Sequence, residues 1–210
     1  MAPQGAFSFL ERSHMDKLNI SQSAVANTVR ARGNADSIDA HGHFTVEHIR
    51  DGKVIGKYEL DNAITNEGKN KLLDVMFHAV SAITAWYLGL VDGAGSPSLA
   101  AGDVYAQING TNAWDEFTAY DVAGPSSVNR GTWTEGTAAS QSITNASPVV
   151  FDITGAGSVY GLFVVGGGTA PETKSNSAGG GSLWAAAAFT SGTVTVGNGD
   201  QLKVTYTVNA

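Results

Sequence analysis

The chain has 210 residues, of which 26 are glycine and only 15% are charged, and its formal net charge is −7. It contains no cysteine, which excludes disulfides and thiolate metal sites. The acidic excess lies in residues 61–210, where five Lys/Arg face twelve Asp/Glu, so this part has no basic footprint for nucleic acid. No apolar run approaches the ~20 residues that a membrane-spanning helix needs. We therefore expect neither nucleic acid nor a membrane as a partner.

The first 35 residues show no sustained strand alternation. Phe7, Phe9 and Leu10 form one small apolar cluster in an otherwise polar segment. Apolar anchors spaced along a polar segment are typical of an arm that docks on a neighbouring molecule. We interpret residues 1–35 as an extended N-terminal arm and these three residues as candidate contacts. The alternative is a disordered terminus or an added leader.

Residues 38–61 are predicted to form a β-hairpin. Phe44 and Val46 alternate with polar neighbours, and Asp51-Gly52 provides a strong turn signal before the returning strand. Both strands carry polar residues on one side, so one face of the hairpin is expected to meet solvent.

A short amphipathic helix is predicted between Asn66 and Val80. Thr65 or Asn66 can provide the N-cap oxygen, and Glu67 places negative charge in the first turn, where the helix dipole favours it. The apolar residues at helical spacing are Leu72, Leu73, Met76, Phe77 and Val80. We expect this apolar side to turn towards the core, so that the helix closes one face or end of a β-structure.

The remaining chain is a series of short β-type runs separated by turn residues. The segments 83–91 and 158–165 are apolar on both sides, which predicts central strands, whereas 202–208 alternates as a half-buried strand does. The alanine-rich run 183–189 is also interpreted as a strand because of its neighbours. With about eight to ten strands, the expected fold is mainly β: an antiparallel sandwich of jelly-roll or Greek-key type over 36–210. The glycine-rich segment 166–182 is predicted to be a flexible loop.

Candidate chemistry is sparse. His41 and His43 share one strand face, as two metal ligands would, but spacing implies no third ligand, so surface polar residues are the favoured interpretation. No serine lies in a G-x-S-x-G turn. Trp114 and Tyr120 flank an acidic pair, as in a carbohydrate site, but core or interface anchors are favoured. We expect no catalytic residue, no metal and no cofactor.

The order of motifs from Tyr58 to Ala210 resembles a known family. The motifs are DNAITNEGKNKLL, WYLGLV, NRGTWTE, SPVVFDIT, SVYGLFV, LWAAAAF and GDQLKVTYT. This pattern is similar to that of small structural proteins encoded near the capsid and tail genes of tailed bacteriophages. The likeness contains no catalytic signature and offers no functional residue to carry over.

The resemblance implies a non-enzymatic virion component. The first expectation is a cement or decoration protein on the capsid exterior, assembled in the host cytoplasm as a homo-oligomer and bound between major capsid subunits. Phe7, Phe9, Leu10 and the 166–182 loop would then be contacts. The alternative is a tail, baseplate or fibre-associated protein that binds a receptor or glycan at Trp114 and Tyr120.

Overall fold

Two antiparallel sheets make up the body of the protein. The computed structural model describes residues 40–110, 114–122 and 128–210. The first sheet has the order β2-β1-β12-β8-β5, and β7 also pairs with β12. Its strands are β1 (His41–Arg50), β2 (Lys53–Ala63), β5 (Tyr120–Val122), β7 (Ser142–Thr144), β8 (Val149–Ile153) and β12 (Gln201–Asn209).

The second sheet has the order β10-β9-β3-β4, with β11 paired to β9 and β6 paired to β3. Its strands are β3 (Trp86–Asp92), β4 (Glu116–Phe117), β6 (Gly131–Trp133), β9 (Gly157–Gly166), β10 (Ser182–Ala188) and β11 (Val194–Val196). The described residues thus contain more strands than the eight to ten expected, because several are only two or three residues long. The predicted mainly β, antiparallel sandwich-like fold is confirmed.

The β1–β2 hairpin has the predicted turn. Asp51 and Gly52 have positive φ angles of 51° and 71°, the pair of left-handed conformations that a two-residue Asp-Gly turn supplies at low cost. On β1, Phe44 and Val46 are fully buried, and they lie opposite Tyr206 and Val204 of β12. Alternation along the strand therefore places one side in the core and leaves the other at the surface.

The main core lies between the two sheets, and the second sheet carries another apolar cluster on its opposite face. That cluster includes Val91 and Phe163, whose neighbours Leu90 and Leu162 belong to the main core. Trp114 packs against Phe163 with ring centroids 5.0 Å apart. The prediction that the strands at 83–91 and 158–165 are central and buried on both faces is confirmed.

The single α-helix of the described residues, α1 (Asn66–Phe77), has the predicted start, but it ends before Val80 and does not have the predicted orientation. It packs beside β10, where a Cβ on Gly68 would lie 2.7 Å from the carbonyl oxygen of Trp184. The expectation that its apolar side turns towards the core is wrong, because Gly68 and Glu67 hold the other side of the helix against the sheet.

Residues Asp39–Ala210 form one compact unit. The predicted arm over 1–35, with Phe7, Phe9 and Leu10, lies outside the described residues. Among the residues that the structure describes, no helix is long and apolar enough to cross a membrane.

Candidate interaction surface

The beginning of α1 is fixed to the second sheet by Thr65. Its hydroxyl accepts a hydrogen bond from the backbone N–H of Gly68 at 3.0 Å and donates to the carbonyl of Leu183. Its backbone N–H donates to the carbonyl of Trp184 at 3.0 Å. Thr65 is therefore both the N-cap and the junction between helix and sheet, which confirms one of the two predicted caps.

The side of α1 that faces the body is mainly polar. Glu67 accepts hydrogen bonds from the backbone N–H groups of Tyr105 at 2.8 Å and Leu183 at 2.6 Å. Gly68 is the one buried residue of the helix, and Lys71, Asp74 and Val75 are partly buried. The helix is therefore held on the sheet mainly through a glycine and hydrogen bonds, and Val75 is the one partly buried apolar side chain of the helix.

The opposite side of α1 carries the apolar residues. The exposed fractions rise along the helix from 37% at Leu72 and 54% at Leu73 to 65% at Met76 and 81% at Phe77. We call these four residues the outer stripe. Helical periodicity correctly indicates that they share one side, but it does not say which side faces the body. The close approach of Gly68 to β10 and the hydrogen bonds of Glu67 determine which side of the helix faces the body, and they leave the stripe facing outwards.

The two residues proposed for a glycan site are both buried. Trp114 is 3% exposed and its indole N–H donates to Asp103 at 3.2 Å, while Tyr120 is 1% exposed and its hydroxyl donates to Glu116 at 3.1 Å. Burial raises the pKa of the Tyr120 phenol well above its usual value. A ring that stacks on a sugar needs an accessible face, and neither residue offers one here.

A fully buried ion pair lies where Trp114 and Tyr120 were expected to form a surface site. The guanidinium of Arg130 donates to the carboxylate of Glu116 at 2.8 to 3.1 Å, and neither side chain is exposed. Arg130 also donates to the carbonyls of Pro171 and Asn176 at 2.8 and 2.9 Å. We call Glu116 and Arg130 the buried ion pair. Sequence reasoning missed it; the one signal was a lone arginine in an otherwise uncharged run beside Trp133.

The glycine-rich segment 166–182 is tied to the body at its middle. The backbone N–H of Ser175 donates to Glu116 at 2.7 Å. The ammonium of Lys174 lies 4.0 Å from the ring centroid of Tyr120 and donates to the carbonyl of Tyr120, and burial lowers the pKa of Lys174. Flexibility of this segment stays a prediction, but the contacts show that its centre packs against the buried ion pair.

Two of the three histidines of β1 lie in different settings, and the third, His41, is exposed. His43 is hydrogen-bonded at the surface to Asp61 at 2.7 Å and to Glu59, and these bonds raise the pKa of His43. His48 is buried and bonded at 2.8 Å to Asp200. Among the described residues, no group of three or more His, Cys, Asp or Glu side chains is arranged to hold a metal ion.

Comparison of the chain with protein-family models, with curated proteins and with solved structures gave no match.

Proposed function

We propose that this chain is a non-enzymatic structural protein of a tailed-phage virion, and that it acts as a cement or decoration protein on the capsid exterior. Its partners would be the major capsid protein and other copies of itself. The proposal begins from the resemblance of its motif order to small structural phage proteins.

The observation that carries the proposal is the outer stripe of α1. Contiguous exposed apolar side chains on a soluble protein mark surfaces that are covered by another molecule. A protein that cements a shell acts through such contacts, repeated by symmetry over many copies. The stripe is held on a rigid sandwich by Thr65 and Glu67, so it is presented in one orientation rather than on a mobile segment.

The acidic charge of the body favours an exterior position. Residues 61–210 carry twelve acidic against five basic residues, and such a surface would be repelled by packaged DNA if it faced the interior of a shell. The tail-associated alternative relied on a glycan site at Trp114 and Tyr120. Because both side chains are buried, the structure offers that alternative no specific support.

The test is the position and number of copies in virions produced from the genome that encodes this chain. We expect mass spectrometry of purified virions to detect the protein, and cryo-electron microscopy to show it in hundreds of symmetry-related copies on the outside of the head. A handful of copies at the tail would overturn the cement assignment in favour of a tail role. Absence from purified virions would overturn the proposed function as a whole.

A further inference from the structure

We propose that the outer stripe of α1 pairs with the same stripe of a second copy of this chain, as two antiparallel helices related by a two-fold axis. The proposal rests on the proposed function in one respect, since it names a partner for the surface on which that function depends.

The exposed area of the stripe matches the apolar centre of a standard interface. A large side chain of this kind presents on the order of 200 Å² when fully exposed. The exposed fractions of 37%, 54%, 65% and 81% therefore leave roughly 450–500 Å² of the four residues in water. A stable interface buries about 800 Å² on each partner, of which about 60% is apolar. The stripe supplies that apolar share, and the polar residues around it would supply the rim.

The stripe is symmetric about the middle of its own length. In an antiparallel pair that crosses between positions 74 and 75, Leu72 lies opposite Phe77 of the second copy, and Leu73 lies opposite Met76. Each leucine thus meets a longer side chain, and the same four residues serve both partners. A two-fold interface requires this self-complementarity, and an apolar helical stripe is well covered by another helix.

The charges on α1 also favour an antiparallel second copy. The last turn of α1 contains no basic residue, so no Lys or Arg in that turn compensates the negative end of its dipole. Lys69 is exposed and lies one turn before the stripe. In the antiparallel pair, Lys69 of one copy reaches the carboxyl-terminal end of the other helix, where a cation is stabilising. The helix itself is neutral, with Lys69 and Lys71 balancing Glu67 and Asp74, whereas the body of residues 61–210 is acidic and would repel a second copy.

The first experiment measures the mass of the full chain in solution by sedimentation equilibrium. We expect a species of twice 21.6 kDa that dissociates on dilution. The double variant Leu73→Glu/Phe77→Glu should raise the dissociation constant at least about 100-fold, because it places charges at the centre of the interface. Its matched control is Val54→Glu/Ile55→Glu, which changes two apolar residues of β2 that are 48% and 52% exposed and should leave the dimer intact.

Circular dichroism and thermal unfolding of both double variants verify that they fold. A folded chain that stays monomeric at all accessible concentrations overturns the proposal. An oligomer that persists in folded Leu73→Glu/Phe77→Glu also overturns it.

A second experiment tests the antiparallel arrangement, and it uses the absence of cysteine from the chain. Leu73→Cys and Met76→Cys are prepared separately and then mixed under mild oxidation. The antiparallel pair predicts that disulfides form mainly between the two different variants. Cross-links mainly between identical variants would indicate parallel helices and overturn the antiparallel arrangement.

Both experiments use the purified chain alone, so their outcome does not depend on virions. A monomeric chain that still decorates heads would overturn this inference and leave the proposed function standing. A dimeric chain that is absent from virions would overturn the proposed function and leave this inference standing.

Discussion

The buried ion pair and the outer stripe of α1 both invert the usual distribution of polarity. Glu116 and Arg130 are charged and have no exposed side-chain surface, whereas Met76 and Phe77 are apolar and are 65% and 81% exposed. Inside the molecule, the two charges of the buried ion pair neutralise each other within the same chain. On the surface, no side chain of the described residues covers the stripe. A buried charge that is paired within its own chain gives no sign of a partner. Exposed apolar side chains that their own chain does not cover do indicate a partner.

Removing one member of the buried ion pair should produce the largest loss of stability. We expect Arg130→Met to lower the free energy of unfolding by about 3–5 kcal/mol, because Glu116 would remain buried without its countercharge. Urea denaturation followed by circular dichroism measures this loss. The control is Glu116→Gln/Arg130→Met, which removes both charges and should recover part of the loss. If Arg130→Met alone is as stable as the wild type, the ion pair is not buried in solution.

Asp200 provides a second test of how buried charges are held. The guanidinium of Arg50 donates to its carboxylate at 2.7 Å from two nitrogens, and His48 and the backbone N–H of Gly197 each bond it at 2.8 Å. These bonds, led by that from Arg50, hold the pKa of Asp200 far below its usual value. We expect Asp200→Asn to lower the free energy of unfolding at neutral pH by about 2 kcal/mol.

The pH dependence of that effect has a definite sign. Because the pKa of Asp200 is lower in the folded than in the unfolded chain, its contribution is complete above the unfolded pKa of about 4 and declines as the pH falls below it. The stability difference between wild type and Asp200→Asn should therefore shrink as the pH falls below about 4. A difference that grows as the pH falls below about 4 would contradict the assigned bonds.

Gly68 tests how closely α1 approaches the sheet. Alanine normally stabilises a helix interior by about 1 kcal/mol relative to glycine. Here a Cβ would lie 2.7 Å from the carbonyl oxygen of Trp184 and 2.9 Å from the Cγ2 of Ile64. We expect Gly68→Ala to lower the free energy of unfolding by about 1–3 kcal/mol instead. Asn70→Ala, at an exposed position of the same helix, is the control and should be neutral or slightly stabilising. A stabilising Gly68→Ala would show that the helix is not held against β10.

Replacement of the most exposed residue of the stripe should have the smallest effect on folding. We expect Phe77→Ser to change the free energy of unfolding of the monomer by no more than about 0.5 kcal/mol, because the side chain makes few contacts within its own chain. Urea denaturation at concentrations low enough to keep the chain monomeric measures this. A loss of several kcal/mol would mean that Phe77 packs in the core, as the sequence alone suggested.

Local patterns predicted the elements of this fold well. The Asp51-Gly52 turn and the alternation on β1 specified the hairpin, and Thr65 marked the first turn of α1. The strand interpretation of the alanine-rich run is also confirmed by β10. These features depend on neighbours in the sequence, and turn chemistry and alternation are visible there.

The features that position the candidate surface depend on distant neighbours instead. The orientation of α1 follows from the contact of Gly68 with Trp184 and from the bonds of Glu67, all to residues far along the chain. The burial of Trp114 likewise follows from its packing against Phe163, and that of Tyr120 from its contacts with Glu116 and Phe151. Sequence periodicity identifies an apolar stripe, but only tertiary contacts decide whether it faces the core or the solvent.

The pairing of two outer stripes is tested most directly by the accessibility of the Met76 methyl group as the protein concentration changes. The chain has three methionines, so methyl-labelled protein gives few signals, and Met76→Leu assigns the one that matters. We predict that a soluble paramagnetic probe broadens the Met76 signal strongly in the dilute monomer, and that broadening decreases above the dissociation constant measured by sedimentation. Protection at every dilution would mean that the stripe faces its own core. Equal broadening at all concentrations would mean that no second copy covers it.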